Sequence, residues 1–139
     1  MGNQTGRKRT GSLAWRKKGW FGRYWAVVDG RAFVALVDVR PVTEDLGARA
    51  VVETRELAAG DTVTIPAGVA HGFLALEPLK LLYLVTNEYD GSDELGFAWD
   101  DPAVAVPWPA VPGTPDRMPI LSQRDRSNPT LADLVRSLR

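Results

Sequence analysis

Between residues 23 and 89 the chain alternates short apolar runs with turn-forming residues. RYWAVV, RAFVALVDV, VVETREL, TVTIPAG, HGFLAL and LKLLYLVTNEY are rich in β-branched and aromatic positions, with Gly, Pro and Asp between them. Short strands at near-regular spacing predict an all-β sandwich or barrel rather than alternating βαβ units. Asp29-Gly30 sits between the first two runs and predicts a hairpin, because a type I′ turn needs positive φ at both central positions. Beyond Tyr89 the pattern changes. WDDPAVAVPWPAVPGTPDRMP is proline-dense and predicts an extended surface segment. Within it, Asp100 and Asp101 ahead of Pro102 predict a turn more readily than a paired-carboxylate site. Only the end, NPTLADLVRSL, carries helical spacing: Leu131, Leu134, Val135 and Leu138 fall on one face, with Asn128 or Thr130 as cap.

The first 19 residues, rich in Gly, Arg and Lys, predict a basic and partly flexible arm on a single domain spanning 1–139. An arm folded over an anionic ligand, with Arg7, Lys8 and Arg9 and Arg16, Lys17 and Lys18 near a pyrophosphate, is the sharper alternative. Acidic and basic residues balance at 17 each, which offers no case for a nucleic-acid partner. There is no cysteine, so disulfides, zinc–thiolate sites and thiol catalysis are excluded. No apolar run approaches the roughly 20 residues that span a bilayer, the start shows no signal-peptide core, and Gly6 stands where a myristoylation signal has Ser or Thr. A soluble cytoplasmic protein without a membrane partner is expected.

The chain has one histidine, His71, in the strand-like run IPAGVAHGFLAL. A lone imidazole in an apolar strand is often only a packed ring. Metal binding is disfavoured, since sites in small β-barrels gather several imidazoles and a carboxylate. A serine triad lacks its G-x-S-x-G elbow. Acid–base or electrostatic work remains, because imidazole can accept, donate or hold charge near neutral pH. Alternation puts His71, Phe73 and Ala75 on one face of their strand. It puts Leu81, Tyr83, Val85, Asn87 and Tyr89 on one face of the next. An inward-facing Tyr and His would make a polar site in an apolar cup. Trp99 and Trp108 read as core or interface rings.

Three runs taken in order resemble a known family: IPAGVAHGFLAL, then LLYLVTNEYDGSDELGFAWDDPAVAVPWP, then PILSQRD. They are similar to the C-terminal two-thirds of the dTDP-4-dehydrorhamnose 3,5-epimerases, metal-independent cupin-fold enzymes of deoxysugar biosynthesis. The earlier run GRYWAVVDGRAFVALVDVR resembles the family's G-K-L-V-R-V-V-x-G-x-V-x-D-V-x-V-D-L-R strand pair, so the resemblance covers roughly residues 20 to 134. It implies a cupin-type jelly roll, or double-stranded β-helix, with a short C-terminal helix, no cofactor and no metal. It also implies a nucleotide-sugar ligand and a homodimer.

Epimerisation beside a ketone needs a base, an acid on the opposite side and donors for the enolate oxygen. By resemblance, His71 matches the histidine at the oxyanion and Tyr83 the acid tyrosine. Asp125 matches the aspartate that orients the base histidine, and Arg23 stands where the family has lysine. Tyr89 and Glu94 match residues of the nucleotide end, and Asn87 and Phe73 share the faces that would line the sugar. The family's R-G-L-H motif has GSLA as its best match here, so Ala14 takes the place of the base histidine. The family's usual N-terminal segment is largely missing, which makes the chain an N-terminally shortened and divergent member. Three functions stay open: an isomerase on a nucleotide-linked 4-keto-6-deoxysugar with an altered base, a non-catalytic nucleotide-sugar-binding paralogue, and a structural or interaction role.

Overall fold

The computed structural model describes residues 2–6, 13–16, 22–85, 94–111 and 118–139, with residues 2–6, 13–16 and 94 described as backbone. Nine strands lie among the described residues: β1 (Gly2–Gly6), β2 (Leu13–Arg16), β3 (Arg23–Asp29), β4 (Arg31–Asp38), β5 (Val51–Ala58), β6 (Thr62–Ile65), β7 (Val69–Ala75), β8 (Leu79–Val85) and β9 (Glu94–Phe97). All the ladders are antiparallel. They form a four-stranded sheet in the order β1-β8-β3-β6 and a five-stranded sheet in the order β5-β4-β7-β2-β9. This is the expected all-β, cupin-type jelly roll. The six apolar runs are six of its strands.

Two apolar clusters explain the patterning. One lies between the sheets and joins Trp25, Val27, Phe73, Ala75, Leu79 and Leu81. The other covers the outer face of the five-stranded sheet, where Ala35, Val37, Ala70 and Phe97 meet Leu131 and Leu134. β4 and β7 are therefore buried on both faces. That is why AFVALV and VAHGFLA read as nearly continuous apolar runs rather than clean alternations.

Three short helices complete the chain: α1 (Arg40–Glu44), α2 (Gln123–Ser127) and α3 (Leu131–Ser137). The C-terminal helix buries Leu131, Leu134 and Val135, as its spacing predicts. Thr130 caps it, its Oγ1 accepting the Asp133 N–H at 3.2 Å. Buried Asp101 begins the expected turn, its carboxylate accepting N–H bonds from Ala103 at 2.9 Å and from Leu131 at 2.7 Å. At the start of α1, Arg40 donates to Asp38. This side-chain hydrogen bond holds the Asp38 carboxyl below the usual carboxylate range. The Arg40 stem lies against Gly68, where an added Cβ would meet its Cγ at 2.8 Å. The turn that launches β7 is thus pinned from outside.

The structure corrects two expectations. Asp29-Gly30 does not close a hairpin, because β3 and β4 belong to different sheets. Gly30, at φ +82°, is instead a corner between them. A Cβ there would stand 2.1 Å from the Pro78 carbonyl oxygen, so only glycine lets the two chain segments pass this closely. The proline-dense segment is extended but not merely superficial: Val104 and Val111 are buried. Trp108 packs on Phe33 at 5.6 Å and donates to the Trp99 carbonyl at 2.8 Å. Proline removes ladder donors without preventing side chains from being covered. Within residues 1–19 two stretches are strands, with β1 pairing β8 and β2 lying between β7 and β9. Sheet edges offer unpaired backbone groups that such stretches satisfy whatever their charge.

Candidate functional site

His71 stands on β7, with Leu36 of β4 opposite it on one side and Ala14 of β2 on the other. Its side chain points between the sheets. The ring is 5% exposed and meets Trp25 of the facing sheet edge-on, with centroids 5.1 Å apart and planes at 82°. Nδ1 lies 3.2 Å from the Val69 carbonyl oxygen. A carbonyl only accepts, so this contact requires the proton on Nδ1. A neutral ring then accepts at Nε2. The imidazolium carries a proton on both ring nitrogens.

The opposite wall is built by β3 and β8. Tyr83 pairs directly with Trp25, and Arg23 lies two residues before Trp25 on the same face. Arg23 is half-buried and sits in register with buried Ile65 and with Val85. The alternation expected from sequence holds: Phe73, Ala75, Leu81 and Tyr83 all pack into the inter-sheet cluster. Phe73 meets Trp25 edge-on at 5.8 Å.

The third side approaches from the chain's end. Ala14 faces His71 across one ladder and Gly96 across the other. Directly opposed residues share a sheet face, so positions 71, 14 and 96 lie in one row. A Cβ on Gly96 would stand 3.0 Å from Asn128 Nδ2, so the Asn128 side chain lies over this same face. Asn128 is the C-cap of α2, the helix that holds Asp125. Asp125 is 6% exposed, and its N–H is accepted by the cap oxygen of Ser122 at 3.1 Å. The helix bearing Asp125 therefore comes up beside the row that contains Ala14. Glu94 opens β9 opposite Arg16 in the backbone pairing. Asn87 and Tyr89 lie outside the described residues.

Sequence reading passed over Trp25, the residue that touches both His71 and Phe73. Its signal was present: Arg23, Trp25 and Val27 alternate on one face of RYWAVV. Among the described residues no three His, Asp or Glu side chains converge as a metal site would require. No helix among them is long and apolar enough to cross a membrane.

Comparison with known proteins agrees with this architecture. A dTDP-4-dehydrorhamnose 3,5-epimerase of Sinorhizobium fredii is 34% identical over 106 residues, covering 76% of this chain and 51% of that protein. Among solved structures, the rmlC epimerase of Mycobacterium tuberculosis superposes with a TM-score of 0.84 at 29% identity, over 98% of this chain and 68% of that one. ChmJ, a 3'-monoepimerase from Streptomyces bikiniensis solved in complex with dTDP-quinovose, superposes at 0.79 with 25% identity, over 99% and 67%. The chain spans about half the length of the sequence relatives it matches. The sequence model of the dTDP-4-dehydrorhamnose 3,5-epimerases matches residues 16–133, and the chain belongs to that family.

Proposed function

We propose that this chain is an isomerase that acts on a dTDP-linked 4-keto-6-deoxysugar by taking a proton from the carbon beside the ketone, with a base other than the family's histidine. The observation that carries the reading is the placement of His71 and Tyr83 on the two facing walls of one inter-sheet space, with Arg23 on the Tyr83 wall. Deprotonation beside a ketone puts negative charge on its oxygen, and fixed donors around that oxygen supply most of the catalysis. His71, as the imidazolium, and the guanidinium of Arg23 suit that role. Asp125 is the candidate base when Tyr83, on the other face, returns the proton; Tyr83 as phenolate is the alternative base, and the proton then returns from another donor. The relatives' ligands support dTDP as the nucleotide, with Tyr89 and Glu94 at its end of the site and Asn87 near the sugar. A homodimer is the assembly we expect.

The test is solvent exchange. Incubation with dTDP-4-keto-6-deoxyglucose in D₂O should place deuterium at C3 or C5, and His71→Gln and Tyr83→Phe should each slow the exchange. The chain has one histidine and carries alanine opposite it, which favours a second reading, a binding protein that holds the same ligand without turning it over. Ligand-induced thermal stabilisation with no deuterium uptake would select that reading. Absence of both exchange and stabilisation would exclude the two together.

A further inference from the structure

Trp25 brings a buried polar atom into the inter-sheet cluster. It is 5% exposed, sits directly opposite Tyr83 on β8, and meets both His71 and Phe73 edge-on. Its Nε1 is buried and has no hydrogen-bond partner among the described residues. A buried indole N–H ordinarily finds an acceptor, because leaving the donor dry wastes its hydration. Trp108 of this chain follows the rule, donating to the Trp99 carbonyl at 2.8 Å. Trp25 breaks it at the centre of the candidate site. Packing alone does not call for indole there, since phenylalanine would give the same edge-on contacts with no stranded donor.

We propose that the Trp25 N–H donates to an oxygen of the sugar held between the sheets, which makes Trp25 a sugar-contacting, specificity-determining residue of this chain. The inference rests on the nucleotide-sugar reading above and adds one contact to it. A sugar presents an oxygen on nearly every carbon and can satisfy the donor where the surrounding apolar side chains cannot.

Two measurements test it, with dTDP and dTDP-quinovose as probes. Calorimetric titration compares wild type with Trp25→Phe, which keeps the ring contacts and deletes the donor. The affinity for dTDP-quinovose should fall about five- to tenfold, while that for dTDP alone stays the same. Separately, the indole N–H resonance of Trp25 in the wild type, assigned through its contacts with His71 and Phe73, should move downfield with dTDP-quinovose and stay in place with dTDP. This second arm needs no variant, so it decides the matter even if Trp25→Phe fails to fold. Unchanged affinity, an equal loss for both probes, or a stationary resonance in the bound protein overturns the assignment to Trp25 alone. Failure of the wild type to bind either probe overturns the nucleotide-sugar reading and this contact with it.

Discussion

Ala14→His puts an imidazole where the family's base histidine is expected, and the register says what it should meet. Ala14 is the direct cross-strand partner of His71 on one side and of Gly96 on the other. Directly opposed residues have Cβ atoms about 4.5–5.5 Å apart, so the new ring would stand beside His71. The Gly96 side of the row carries no side chain of its own and is overhung by Asn128, which ends the helix of Asp125. A positioned general base contributes about 10²–10⁴ in rate, equivalent to about 3–5 kcal/mol of barrier. Deuterium uptake at C3 and C5 of dTDP-4-keto-6-deoxyglucose, followed by NMR at mildly alkaline pH where unperturbed imidazole is neutral, should therefore rise over wild type by that factor. If Asp125 orients the introduced ring, adding Asp125→Asn should take back tenfold or more of the gain, as loss of an orienting carboxylate does elsewhere. The reasoning fails if A14H unfolds within a few degrees of wild type, binds dTDP-quinovose, and exchanges deuterium no faster.

Other predictions concern the scaffold and the charge states. Gly30→Ala should cost about 3 kcal/mol or more, because its Cβ would stand 2.1 Å from the Pro78 oxygen at a φ of +82°. Calorimetry should find a Tm lower by about 10 °C, and an unchanged Tm would show that the corner between the sheets is not tight. Arg40→Gln should lower Tm at neutral pH, since Arg40 depresses the folded-state pKa of Asp38. Stability from a depressed carboxyl is present above the unfolded pKa of about 3.9. It is lost as pH falls through the folded value, so the gap between wild type and variant should close in acid. Arg40 is exposed and Asp38 partly so, which leaves the pair screened, so the gap should also shrink with salt; a gap indifferent to pH would refute the pairing. If His71 serves the enolate oxygen as imidazolium, wild-type exchange should decline as the ring loses its proton. His71→Gln should remove that limb of the pH profile, and a rate that instead climbs with His71 deprotonation would assign the ring as a base.

What the chain reveals before folding is local. β-branched and aromatic runs between turn residues located β3 to β8, and the pleat told which of Phe73, Ala75, Leu81 and Tyr83 share a side. The spacing of Leu131, Leu134 and Val135 located α3 for the same reason. Sheet membership is not local. An apolar run reads alike whether its neighbour in sequence becomes its ladder partner or crosses to the other sheet, which is how Asp29-Gly30 came to suggest a hairpin. α1 and α2, at five residues each, are too short to show a 3.6-residue period. LAWR inside a basic stretch carries too little pattern to announce β2. At the site, His71 and Tyr83 were legible from their motifs. The row formed by His71, Ala14 and Gly96 was not, since it joins three strands far apart in sequence. Trp25 was hidden by being apolar enough to pass for core.

The position of His71 also bears on why the site was legible at all. β7, like β4, is covered on both faces: Ala70 faces the helical layer, and His71 and Phe73 face the other sheet. Burial on both sides leaves the backbone under His71 little freedom, and the bond from Nδ1 to Val69 leaves the ring little more. A polar group held this firmly in an apolar strand is expensive unless it finds partners. Catalysis by fixed dipoles needs that same firmness, because a donor that is already oriented loses nothing when charge develops opposite it. Trp25 supplies the wall His71 leans on, and it stands opposite Tyr83, so the position of the phenol is tied to that of the imidazole through one indole. A substitution at Trp25 that shortens the ring would therefore loosen both groups together. Phenylalanine, which keeps the wall, isolates the N–H.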